Sequence, residues 1–161
     1  MIRHATEADL PGILAIYNEV ITNSTAVWID DAFTIENRQD WFAARRAQNY
    51  PVLVADEAGE IAGFSSFGDF RPFHGFRFTI EHSVHVRAGR RGGGVGRQLV
   101  EALFPLARDL GKHIMVGAVD ASNEASIRFH ERLGFVETGR MRQVGFKFGR
   151  WLDMVLLQKT I

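Results

Sequence analysis

Between residues 78 and 111 the sequence changes its period, and that change constrains the fold more than any other feature. From Phe78 to Val86 the side chains alternate, with Phe78, Ile80, His82, Val84 and Val86 on one face and Thr79, Glu81, Ser83 and His85 on the other, as in a strand. Arg87 to Gly93 is basic and rich in glycine. From Gly94 onward Val95, Leu99, Leu103, Leu106 and Leu110 follow the spacing of one helix side, and Gly111 stops it. Pro105 lies inside that helix, where it removes a backbone hydrogen bond and bends the axis. Ile114 to Val119 reads as a buried strand. Strand, glycine loop, helix and strand in this order call for a sheet with a helix packed over it. They also gather the loop's N–H groups and the helix N-terminus at one place.

The flanking segments fit the same class. Ile2 to Ala5 is a short strand, and Thr6 with Asp9 caps a helix whose apolar positions are Leu10, Ile13, Leu14, Ile16, Tyr17 and Val20. The polar stretch Thr22 to Thr25 breaks that pattern, and Thr34 caps a second helix with Ile35, Trp41, Phe42 and Ala44 on its apolar side. Pro51 to Asp56 and Ile61 to Gly68 form a hairpin across Glu57-Ala58-Gly59-Glu60. Phe70 to Phe76, with Pro72 and Gly75, is loop. Asn123 to Leu133 is a short helix stopped by Gly134, and Phe135 to Gln158 gives two strands around Phe148-Gly149-Arg150. No repeat or low-complexity linker divides the 161 residues, so residues 1–161 are read as one domain of mixed α and β structure.

Composition removes several function classes. The 19 Lys+Arg and 19 Asp+Glu cancel, which argues against a nucleic-acid partner. No cysteine is present, so a disulfide scaffold, a thiolate zinc site and a cysteine nucleophile are excluded, and a reducing compartment fits. Met1-Ile2-Arg3-His4 opens no apolar signal region and no apolar run approaches ~18 residues, so the expectation is a cytoplasmic protein with no membrane span. The neutral total hides an asymmetry: residues 1–70 hold 4 basic and 11 acidic side chains, residues 71–161 hold 15 and 8. Arg87, Arg90, Arg91 and Arg97 cluster at the glycine loop, which points to an anion there rather than to a bare surface turn. Two phosphate loops fail on spacing. Leu99 stands where the dinucleotide pattern needs its third glycine, and no Gly-Lys-Ser/Thr follows as in a Walker A loop.

What remains is Arg91-x-x-Gly94-x-Gly96 after a strand, and it resembles the acetyl-CoA pyrophosphate loop of the GNAT superfamily of N-acetyltransferases. The segment Asn123-Glu124-Ala125-Ser126-Ile127-Arg128-Phe129-His130-Glu131-Arg132-Leu133-Gly134-Phe135 resembles that superfamily's second CoA-side motif, Asn-x-x-Ala-x-x-x-Tyr-x-x-x-Gly-Phe. Phe70-Arg71-Pro72-Phe73, Gly75-Phe76-Arg77, Thr79-Ile80-Glu81-His82-Ser83-Val84 and Gln143-Val144-Gly145-x-Lys147-Phe148-Gly149-Arg150-Trp151-Leu152-Asp153 resemble the phosphinothricin and methionine sulfoximine acetyltransferase branch. His85 stands where that branch usually has tyrosine, Gly93 where lysine is common, and Arg142 where proline is usual.

The resemblance implies a central mixed, mostly antiparallel sheet flanked by about four helices. It also implies transfer of acetyl from acetyl-CoA to the α-amine of a small amino-acid analogue, by direct attack in a ternary complex. It places acetyl-CoA against Val84, His85, Val86, Arg91, Gly92, Gly93, Gly94, Val95, Gly96, Arg97, Asn123 and Ser126. Glu81 would be the general base acting through water, because a protonated amine cannot attack. A backbone N–H near Val84 would receive the oxyanion. His130, in the tyrosine position, is the candidate acid for the thiolate or a contact to CoA, while His82 faces away from Glu81 by parity and reads as structural. Arg71 and Arg77 suit a substrate carboxylate, and Phe73, Phe76, Trp28 and Trp151 either wall an apolar pocket or pack in a core or dimer. Methionine sulfoximine or sulfone leads among substrates and phosphinothricin follows. A protein N-terminus and a non-catalytic acyl-CoA sensor remain as alternatives. No metal is expected, since His82 and His85 lie on opposite strand faces, and a homodimer is implied by the resemblance.

Overall fold

The computed structural model describes residues 1–161. Seven strands make one sheet: β1 (Ile2–His4), β2 (Val52–Glu57), β3 (Glu60–Asp69), β4 (Thr79–Val86), β5 (Ile114–Asp120), β6 (Val136–Lys147) and β7 (Arg150–Thr160), in the order β1-β2-β3-β4-β5-β7-β6. Every neighbouring pair is antiparallel except β4 with β5. Four helices flank it: α1 (Leu10–Asn23), α2 (Ile35–Ala47), α3 (Val95–Asp109) and α4 (Glu124–Arg132). None is long and apolar enough to cross a membrane.

Strand parity sorts the core onto the two faces. Val52 and Val54 of β2 join Ile61 and Phe64 of β3 under Leu10, Ile13 and Ile16 of α1 and Phe42 of α2. The intervening Leu53 and Ala55 join Ile80, Met115, Val155 and Leu157 under Leu99, Val100 and Leu103 of α3 and Ile127 of α4. The cap of α2 is where the sequence places it, with Thr34 Oγ1 accepting from Asn37 N at 3.3 Å, whereas Thr6 and Asp9 close a short 3-10 turn, Glu7–Asp9, ahead of α1. Asn123 Oδ1 caps α4 by accepting from Ser126 N at 3.0 Å. Two expected core residues are exposed. Phe78 precedes the first residue of β4 and carries the Arg77 guanidinium on its ring at 4.2 Å, while Leu110 follows the last residue of α3. Pro105 lies within α3, which is assigned as one continuous helix.

The N-terminus is pinned electrostatically. Arg3 donates to both oxygens of Asp9 at 2.8 Å and to Asp56 Oδ2 at 2.9 Å. The Asp9 carboxylate also accepts from Thr6 N at 2.7 Å. These donors, Arg3 foremost, hold Asp9 at about 2, below its ordinary 3.8. A depressed carboxylate stabilises the fold fully above its unfolded pKa, and that contribution is lost as pH falls through about 2. Asp9→Asn is therefore expected to unfold at lower urea than the parent at pH 7. The two urea curves should converge as the pH approaches 2, which urea titrations at a series of pH values will show.

Candidate functional site

The parallel pair β4–β5 is short. Only Thr79↔Ile114, Ile80↔Met115 and Glu81↔Val116 are in register, although β4 runs on to Val86 and β5 to Asp120. Beyond Glu81 the strands part, and a cavity of about 220 Å3 occupies the gap, lined from β4 by Glu81, His82, Ser83, Val84 and His85 and from β5 by Gly117 to Asp120. A cleft of about 550 Å3 adjoins it, sharing Val84, Asn123 and Ser126 and continuing along Arg90, Arg91, Gly92, Gly94, Gly96 and Arg97.

The register to β3 decides which backbone groups face this gap. Arg87 N donates to Ala62 O at 2.9 Å and Phe70 N to Thr79 O at 3.4 Å, so the odd-numbered residues of β4 exchange their bonds with β3. The even-numbered ones turn N–H and C=O toward β5. Where β5 has diverged, the Val86 carbonyl is taken by Arg91 Nε at 3.0 Å, and the Val84 N–H is left pointing into the opening.

The glycine loop is a second set of free donors. Gly92 and Gly94 have φ of 82° and 85°, the left-handed region that favours glycine. Gly94 is the N-cap of α3 and has no side chain to cap it, and the first α3 bond runs from Gln98 N to Gly94 O at 3.1 Å. The N–H groups of Val95, Gly96 and Arg97 therefore have no helical acceptor. A Cβ on Gly96 would come within 3.4 Å of Val86 and 3.6 Å of the Phe129 ring, so this wall of the cleft is closely packed. A diphosphate fits the free N–H groups and the positive helix end. Gly93 and Val95 belong to the same loop and helix turn but do not line the cleft.

The arginines are not bare cations. Arg87 pairs with Glu60, Arg90 with Glu57 at 2.9 Å, Arg91 with Glu19 at 3.6 Å and Arg97 with Glu101 at 2.8 Å. Three of those four carboxylates come from the acidic first half, so tertiary pairing meets part of the charge asymmetry of the sequence at this loop. Arg90, Arg91 and Arg97 still line the cleft.

Glu81 is half-buried, and burial raises its carboxyl above the ordinary 4.5 while the Arg71 charge opposes the rise. His85 sits between Tyr17 and Phe64, with ring centroids 5.2 and 5.3 Å away. Burial and then the charges of Arg38 and Arg91 lower it to about 4, so it is neutral at pH 7.

His130 is 4 % exposed, with Nδ1 2.7 Å from Ser126 O and Nε2 3.1 Å from His82 Nε2. A carbonyl only accepts, so Nδ1 carries the proton, and in the neutral pair His130 Nε2 accepts from His82 Nε2–H. Burial lowers the pKa of both rings. The resting pair is thus the floor of the cavity, and His130 Nε2, which carries a lone pair in this tautomer, has no proton to give a thiolate until the ring takes one up. His82 keeps the parity expected of it, on the face opposite Glu81. It reaches the cavity nonetheless, because the gap between the strands passes through the sheet. Gly117 makes room for both rings: a Cβ there would lie 2.9 Å from His130 and 3.3 Å from His82.

Apart from Arg71, whose charge acts on Glu81, the 70–78 loop does not reach the cavity. Phe73 is 70 % exposed, Phe76 packs edge-on against Phe70 at 5.9 Å, and Arg71 stacks on Phe70 at 5.3 Å. Arg77 donates to His74 O at 3.1 Å. Trp151, 63 % exposed, packs on Phe146, and none of these residues or Trp28 lines the cavity of this single chain. Sequence reasoning missed Phe129 and Leu133, although helical spacing from Ser126 would have placed them on one face, and missed Tyr17 and Val27, which carry no local signal. No group of three or more His, Cys, Asp or Glu is arranged to hold a metal.

Comparison with known proteins agrees with this geometry. The acetyltransferase (GNAT) family pattern matches residues 13–135. The L-methionine sulfoximine/L-methionine sulfone acetyltransferase of Pseudomonas aeruginosa is 56% identical, over 99% of this chain and 94% of its own. A solved putative acetyltransferase from Salmonella typhimurium with its cofactor acetyl-CoA superposes at TM-score 0.97 and 47% identity, over 99% of this chain and 92% of that one. A solved ribosomal-protein-alanine N-acetyltransferase from Brucella melitensis superposes at 0.98 and 47% identity, over 100% and 99%. The chain belongs to the GNAT family of acetyltransferases, closely related to its methionine sulfoximine and phosphinothricin branch, and is an acetyl-CoA-dependent acetyltransferase.

Proposed function

We propose that this enzyme acetylates the α-amine of a small amino-acid analogue, methionine sulfoximine or methionine sulfone before phosphinothricin, by direct attack in a ternary complex. The observation that carries this is the Val84 N–H opening into the same cavity as Glu81, where that cavity adjoins the glycine cleft. Acetyl-CoA supplies the acetyl group. The N–H groups of Val95, Gly96 and Arg97 hold its diphosphate, and the Asn123 amide, whose oxygen already caps α4, donates to the pantetheine arm. Glu81 takes a proton from the substrate nitrogen through water, and its raised pKa keeps it basic enough to do so near neutral pH. The Val84 N–H donates to the carbonyl oxygen as negative charge grows on it. His130 shares the inner cavity with Glu81 and is the candidate contact to the thiol end of CoA; to act as acid toward the departing thiolate it must first take up a proton at Nε2.

The substrate choice is supported by the Pseudomonas relative's named activity and by an inner cavity of about 220 Å3, on the scale of a small amino acid. A homodimer belongs to the same proposal: Phe73, Phe78, Phe146, Phe148 and Trp151 are exposed together with the long edge strand β6. In a dimer, Arg71 and Arg77 can reach substrate across the interface. Thiol release from acetyl-CoA tests the whole. Methionine sulfoximine and sulfone should give turnover, phosphinothricin less, and an alanine-terminated peptide none. Faster release with the peptide, or none with any amino acid, overturns the substrate assignment.

A further inference from the structure

Lys147, the last residue of β6, is 1 % exposed. Its Nζ donates to the carbonyl oxygens of Ile21, Ser24 and Val27 at 2.5, 2.8 and 2.7 Å. An ammonium has three donors and here all three are spent on backbone. Ile21 lies in the last turn of α1, where carbonyls lack helical partners and the dipole is negative, so a cation is stabilised there. Two residues earlier on β6, Gly145 lies against Trp28, and a Cβ at 145 would come to 2.2 Å from the indole. Trp28 Nε1 closes the segment on itself by donating to Thr25 O at 2.9 Å. The strand therefore grips residues 24–28 at two points. Between the two lie Ala26 and Val27, and both line the cavity that contains Glu81.

Stability alone does not call for this arrangement, since a buried cation costs desolvation that an apolar side chain of similar volume would avoid. A lysine aimed at three carbonyls does something an apolar chain cannot: it sets where that backbone lies. We propose that Lys147 is a positioning residue for the acceptor amine, fixing the Ala26–Val27 wall opposite Glu81 and so deciding which amines are held in line for attack. This rests on the acetyltransferase reading above for its catalytic consequence, but the latch itself is a property of the fold.

The test is Lys147→Met, with deuterium uptake of residues 22–29, amine KM and acetyl-CoA Kd as readouts. Uptake in that segment should rise roughly tenfold and amine KM by about tenfold or more. Acetyl-CoA Kd, read by calorimetry, should stay within about twofold, because the glycine cleft shares no residue with segment 24–28. The chain has no cysteine, so Lys147→Cys can be alkylated in denaturant with 2-bromoethylamine and refolded, restoring an ammonium at the same reach. That derivative should recover both uptake and KM. If Lys147→Met does not fold, Gly145→Ala, which displaces Trp28 without touching the ammonium, should raise the same two quantities. Unchanged uptake overturns the latch. Unchanged amine KM, or an acetyl-CoA Kd that moves as far as the KM, overturns the positioning role. Wild-type protein that turns over no amine at all sinks the acetyltransferase substrate reading instead, and the uptake comparison still decides the latch.

Discussion

Glu81→Gln is expected to lower kcat by about 100-fold or more, the usual worth of a positioned general base. Acetyl-CoA affinity should not change, since Glu81 lines the inner cavity and not the glycine cleft. The pH profile is the more specific readout. Glu81 acts when ionised, and burial raises its pKa above 4.5, so wild-type kcat/KM should fall as the pH drops through that raised value. The variant has no group to titrate there and should lose that limb. Stability should move the other way. A carboxyl whose pKa is higher folded than unfolded opposes folding once it is ionised, so at pH 7 the glutamine variant should melt no lower than the parent. A rate within about threefold of wild type, with the acid limb intact, would remove Glu81 from the base role.

Gly94→Asp should separate cofactor binding from stability. Aspartate is a good N-cap but gains only a few tenths of a kcal/mol over glycine there, while the left-handed backbone at φ 85° costs it about 1 kcal/mol. The melting temperature is therefore expected to fall by only about 2–4 °C. The carboxylate would occupy the helix end that the diphosphate needs, and placing like charges together costs roughly 2–3 kcal/mol, a loss in acetyl-CoA affinity of about 30- to 150-fold. Calorimetric titration and a thermal melt on the same sample check both halves. Unimpaired binding would mean that the diphosphate does not sit at the α3 N-terminus.

Most of the architecture was legible because each element carries a local cause. The alternation from Ile80 to Val86, the Thr34 cap and the heptad-like leucines of α3 act over a few residues, and all appear in the fold. The failures lie at element ends: Phe78 and Leu110 fit the period, but the period ran one residue past the strand and the helix. The site was legible where it is local. The glycine loop shows its anion-type character through local composition, the Asn123 segment carries its meaning only through its resemblance to the family motif, and the two meet along one cleft.

Pairing between distant residues was not legible. Parity placed His82 away from Glu81, correctly, yet both line one cavity because β4 and β5 separate after Glu81. The aromatics Phe73 and Phe76 fit a pocket wall or core or dimer packing by sequence, and they lie on the surface of the single chain. The four loop arginines point to an anion by sequence, and the fold also gives each a carboxylate partner.

By itself, then, the sequence determined the elements, their caps and the phosphate-type loop, because these depend on neighbours within a turn or two of chain. The tertiary structure alone decided where β4 and β5 part, which N–H that leaves free, and which glutamates from the first half meet the arginines of the second. Strand divergence, the histidine pair and the Lys147 latch join groups 35 to 126 residues apart. No local pattern encodes such contacts, which come from packing against the two faces of the sheet.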